Sequence, residues 1–135
     1  MFSAVPHVVA RKGTLLIPSG SGDDGKHLYV VLTNPCDAGQ CLLVSWSRIK
    51  ENRFFDPACR LEPGEHEFIT QPTFVEYRLS RILSCDHIIK CVAGWYFTPK
   101  DDVSDEVCDR MRAGLEASEF TSRRVLVYFN ANRDR

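Results

Sequence analysis

A mainly β domain of small barrel or sandwich type, with a helix near the C-terminus, is the fold class this chain predicts, and three observations predict it. Short segments rich in β-branched and aromatic residues alternate with turn signals through the first 100 or so positions. A single late segment pairs a capping serine with apolar residues at every fourth position. The chain has 135 residues, 44% hydrophobic and 26% charged, which suits one core that needs neither disulfide nor metal staples. No repeat, low-complexity tract or linker divides it, so residues 1–135 are read as one domain.

The elements follow in order. "GTLLIP" at 13–18 reads as the first strand, and "PSGSGDDG" at 18–25 as a glycine-rich surface loop. That loop lacks the G-x-x-x-x-G-K-[ST] pattern of a P-loop. Further strands are expected in "KHLYVVLT" at 26–33, "QCLLVSWS" at 40–47, "FVEYRLSRIL" at 74–83 and "VAGWYFT" at 92–98. Trp46 and Trp95 are expected in the core, while Tyr77 suits either the core or a base-stacking surface. In "SDEVCDRMRAGLEAS" at 104–118, Ser104 can cap the free amides and Asp105 and Glu106 suit the positive helix start. Val107, Met111 and Leu115 then form an apolar stripe that should dock across an open end of the barrel. The tail "TSRRVLVYF" at 121–129 fits a helix or a strand.

Net charge is −1, so the molecule as a whole does not attract nucleic acid, and any such binding needs a local basic patch. Bases do collect, in "RIKENR" at 48–53 and at Arg123 and Arg124, while acids concentrate in "DDVSDEVCD" at 101–109. No apolar run approaches the roughly 20 residues of a membrane span, and the N-terminal stretch has no signal-peptide pattern, so a cytoplasmic location is expected. In that compartment the six cysteines are read as reduced, mostly buried thiols. A zinc-stabilised interaction module is the alternative, drawing on Cys36, Cys41, Cys85, His87 and Cys91, although neither cysteine pair has the C-x2-C spacing of a zinc knuckle.

A first strand, a Gly-rich loop, a basic residue opening "HLYVVLT", then "LLVSWS", "PTFVEYRLSRILSCDHI" and the Ser-capped "VSDEVCDRMRAGL" resemble the MazF/PemK toxins of bacterial toxin–antitoxin pairs over about residues 10–118. The resemblance implies a small SH3-like barrel of the MazF/PemK/CcdB type. It further implies a homodimer, a cognate antitoxin and metal-independent cleavage of single-stranded RNA without a cofactor. Ribonucleases of that family carry an arginine and a proline at the start of the second strand and a hydroxyl at the end of the third. Here His27, Leu28 and Ser47 stand at those places, so the hydroxyl matches and the arginine does not.

Cleavage through the ribose 2′-hydroxyl needs a base, an acid and a cation for the crowded phosphorane. On the residues available, Lys26 or Arg48 is the expected clamp, and His27 and His66 are the expected proton carriers. Ser47 and Thr73 are the expected hydrogen-bonding groups of the transition state. In a regular strand Thr73, Val75, Tyr77, Leu79 and Arg81 share a face, which makes Arg81, and not Arg78, the RNA-binding partner of Thr73, with Tyr77 beside them. A noncatalytic barrel that binds RNA or a protein partner is the alternative function.

Overall fold

The computed structural model describes residues 5–18 and 25–135, so most of the glycine-rich loop at 18–25 lies outside the described residues. Among the described residues six strands form one curled antiparallel sheet: β1 (Thr14–Pro18), β2 (Lys26–Val31), β3 (Gln40–Arg48), β4 (Arg60–Leu61), β5 (Thr73–Ser84) and β6 (Thr98–Lys100). Their spatial order is β4-β5-β3-β2-β1-β6. Three helices accompany the sheet among the described residues: α1 (Cys85–Ala93), α2 (Asp105–Ala117) and α3 (Arg123–Ala131). None of them is long and apolar enough to cross a membrane.

The central strands read as continuous apolar runs because both faces of the sheet are covered. Leu28, Val30, Leu42, Val44, Trp46 and Val75 point to the side where α2 and α3 pack through Val107, Met111, Leu115, Val125 and Phe129. Leu15, Ile17, Tyr29, Val31, Cys41 and Leu43 point to the other side, where Cys85 and Ile88 of α1 and Phe97 meet them. The stripe expected on α2 is therefore the one it buries, with the Ser104 hydroxyl accepting from the Val107 amide at 3.1 Å. The ambiguous tail is a helix, begun by Ser122, whose hydroxyl accepts from the Val125 amide.

The strand expected at 92–98 does not form. Ser84 caps a helix instead, with Asp86 in its first turn, and that helix runs through Ala93. It ends in a tight turn in which the amides of Tyr96 and Phe97 both donate to the Cys91 carbonyl. Trp95 adopts φ 65° there. This left-handed backbone sends its ring to solvent, 90% exposed, while Phe97 fills the core position expected of the tryptophan. Only residues 98–100 return as strand, the short β6 at the sheet edge.

Strand β5 also departs from regularity. Ser45 pairs with Glu76 while Leu43 pairs with Arg81, so β5 carries an odd number of extra residues over that span. The bulge bends the strand and exchanges the faces of the residues on either side of it. Thr73, Val75 and Tyr77 lie on the α2 side, but Arg81 lies on the α1 side with its guanidinium 4.9 Å from the Tyr29 ring centre. The expected partnership of Arg81 with Thr73 is thus undone by the bulge.

Tyr77 is part of the core, 1% exposed. Its hydroxyl donates to the Met111 carbonyl at 2.7 Å, and burial pushes the phenol well above its ordinary pKa. Gly114 makes this fit possible: a Cβ there would lie 2.2 Å from the tyrosine oxygen and 3.0 Å from the Cys59 Cβ. Helix α2 can approach β5 this closely only because position 114 has no side chain.

Candidate functional site

Antiparallel pairing of β2 with β3 through Tyr29↔Ser45 brings the first residues of one strand and the last of the other to the same end of the sheet. At that end a cleft of about 400 Å³ opens. Lys26, His27 and Leu28 line it from β2, Trp46, Ser47 and Arg48 from β3, and Thr73 from β5. Leu16 and Lys50 add to the wall, and Phe68, Thr70 and Gln71 reach over it from the loop before β5.

Three permanent cations and one imidazole thus meet in a single hollow, and no carboxylate is among the described lining residues. Their fields add, so a chain of nearly neutral net charge carries a concentration of positive charge at this end of the sheet. Lys26 and Arg48 are exposed and His27 is half-buried. Trp46 is both floor and core: its ring is buried, and its indole N–H donates to the Met111 sulfur at 3.4 Å.

The loop over the cleft is held by a specific set of interactions. His66 is only 7% exposed and sits edge-on to Trp46, with ring centres 5.3 Å apart. Its Nδ1 accepts from the Phe68 amide at 3.0 Å. The ring proton is therefore on Nε2, which donates to the Asp101 carbonyl at 2.7 Å. One residue before it, Glu65 forms an ion pair with Arg110 of α2, and the guanidinium holds that carboxyl below the usual carboxylate range. Arg110 also donates to the Arg60 carbonyl at 2.7 Å, tying β4 to the same helix.

Of the residues expected at the site, Lys26, His27, Ser47, Arg48 and Thr73 share the cleft. His66 braces it from behind through Trp46, with both ring nitrogens engaged in the fold. Tyr77 is sealed beneath α2 and Arg81 belongs to the opposite face, so neither ring nor guanidinium joins the group. The Thr73 hydroxyl donates to the Gln71 carbonyl at 2.9 Å, and the Ser47 hydroxyl donates to Glu76 Oε2 at 3.1 Å. Sequence reasoning missed Lys50, Phe68, Thr70 and Gln71. Lys50 was within reach, because it belongs to the basic run at 48–53, but the loop residues depend on a fold-back that no local pattern announces.

The cysteines considered for zinc divide between elements. Cys91 Sγ and His87 Nε2 face each other at 3.6 Å along α1, whereas Cys41 and Cys85 are buried, and burial pushes both thiols up. All six cysteines are free thiols, and among the described residues no three potential ligands gather around a point. The chain matches no protein-family model, and comparison with curated proteins yields no relative.

Proposed function

We propose that this protein is an SH3-like barrel of the MazF/PemK type that binds single-stranded RNA in the Lys26–Arg48 cleft and cleaves it without a metal. The observation that carries the reading is the convergence of Lys26, His27, Ser47, Arg48 and Thr73, all suited to phosphate chemistry, on one hollow. Lys26, Arg48 and Lys50 hold the backbone and offset the charge that builds on the phosphorane. His27 takes the proton of the ribose 2′-hydroxyl as the 2′-oxygen bonds to phosphorus. The bond to the 5′-oxygen then breaks, that oxygen collects its proton from water, and a 2′,3′-cyclic phosphate remains. His66 acts as a positioning residue, since its nitrogens are committed to Phe68 and Asp101.

The same reading carries a homodimer and a cognate antitoxin, which light scattering and co-expression with the neighbouring gene would test. A noncatalytic RNA-binding barrel is the second reading, favoured by the single imidazole in the cleft and by the engagement of Ser47 with Glu76. The deciding experiment incubates purified protein with single-stranded RNA in EDTA. Cyclic-phosphate ends that vanish in His27→Ala support cleavage, whereas RNA that is bound and left intact supports the second reading.

A further inference from the structure

A second cavity, of about 470 Å³, lies beside the first, walled by Phe54, Phe55, Phe74 and Phe120, with Glu76 and Arg78 on β5. The rings are organised: Phe54 meets Phe120 edge-on at 5.3 Å, and Phe55 is tilted on Phe74 at 5.7 Å. Phe54 and Phe120 nevertheless remain open to solvent, an unusual cost for two phenylalanines that touch each other.

Glu76 connects this cavity to the cleft. It is only 8% exposed, its Oε2 accepts from the Ser47 hydroxyl at 3.1 Å, and its Oε1 accepts from Arg78 Nε at 2.8 Å. Each oxygen of a carboxylate has two lone-pair sites, so one acceptor site remains on each after these two bonds. Arg78 balances the carboxylate charge, and its guanidinium remains largely exposed. Asp56, also in the wall, is occupied by the Ala58 amide and the Ser118 hydroxyl.

Aromatic walls around a hydrogen-bonding group that is held in place are the means by which proteins read a splayed-out base. Guanine is the base whose Watson–Crick edge places two donors, N1–H and the N2 amino group, side by side. Adenine and cytosine set an acceptor beside their amino group, and uracil has one donor between two acceptors. We propose that this cavity is the base-reading pocket of the RNA site and that it selects guanine, the phenylalanines stacking on the base while both Glu76 oxygens accept from its edge. This rests on the RNA-binding reading of the cleft and adds to it a specificity-determining residue, Glu76, and a path between the two hollows through Ser47.

The test uses the full chain and short single-stranded RNAs with 2′-O-methyl sugars, which bind without being cut, identical except for guanine, inosine or adenine at one position. Anisotropy should show guanine binding about tenfold tighter than inosine, which lacks only the N2 amino group. Glu76→Gln, confirmed as folded by thermal melting, should abolish that ratio, and Phe120→Ala should weaken the guanine RNA about tenfold by removing a stacking ring. Lys26→Ala should weaken all three RNAs alike and leave the ratio intact. Equal binding of guanine and inosine to the wild-type chain, or a ratio that survives Glu76→Gln, overturns the pocket while the RNA-binding cleft stands. Failure to bind any of the RNAs overturns both. Displacement by an arginine-containing peptide but not by guanosine monophosphate would assign the cavity to a protein partner and also overturn the inference.

Discussion

Strands β2 and β3 are dry at their centres and charged at one end. From Leu28 to Val31 and from Cys41 to Trp46 every side chain is buried, because helices cover both faces of the sheet. One or two residues further along, Lys26, His27, Ser47 and Arg48 stand around an open cleft where those helices do not reach. The same two strands thus provide a scaffold whose side chains serve packing and a rim whose side chains supply charge. A site built on strand ends inherits the rigidity of the core beneath it, and Trp46, which belongs to both, is the joint.

The difference can be broken most severely from the core side. Gly114→Ala drives a methyl group into Tyr77 and should cost about 1–3 kcal/mol or more, as overpacking does. Leu115→Ala, at a fully buried position, should cost about 2–5 kcal/mol by leaving a cavity. Chemical denaturation would check both, and a wild-type midpoint in either variant would contradict this packing of α2 on β5. At the rim the expected pattern reverses. His27→Ala should lower RNA cleavage by about 100-fold or more, and its melting temperature should fall less than that of either core variant.

Smaller effects sharpen the contrast. Lys26→Ala and Arg48→Ala should each weaken RNA binding and flatten its salt dependence, the log–log slope falling by about 0.7 for each phosphate no longer neutralised. A pH titration separates the loop from both regions. Arg110 lowers the Glu65 pKa in the folded chain, so the pair contributes stability that is fully present above the ordinary carboxylate range and is lost as pH falls from that range through the lowered pKa of the folded chain. The wild-type advantage over Glu65→Gln should therefore be present at neutral pH and shrink from about pH 5 downward. Thermal melts of the two proteins at several pH values would show it, and a gap that stayed constant into acid would argue against the ion pair.

The scaffold was more legible in the sequence than the site. Runs such as "HLYVVL" and "CLLVSW" show β-branched and apolar density directly, and the Ser104-capped stripe of α2 specifies its own docking face. Trp95 was expected in the core because "VAGWYFT" at 92–98 is apolar and aromatic like a strand, whereas the Ser84-capped helix runs into that segment and a left-handed turn follows it. Arg81 was misjudged because strand parity is a local rule, and one bulge at residues 77–80 reverses it for everything beyond. His66 was visible as a histidine but not as a brace, since its partners Asp101 and Trp46 are distant in sequence. The rim cations were legible as charges at strand ends, whereas their convergence on one cleft depends on the pairing of β2 with β3.

The most direct test compares single-stranded RNA with the wild-type chain and with the Lys26→Ala/Arg48→Ala double variant, in EDTA, following both binding and the appearance of 2′,3′-cyclic phosphate ends. The wild-type chain is predicted to bind and cut, while the double variant, folded with an unchanged melting temperature, does neither at the same concentration. RNA binding and cleavage undiminished in the double variant, or absent from the wild-type chain, would contradict a cationic RNA-cleaving cleft at the strand ends.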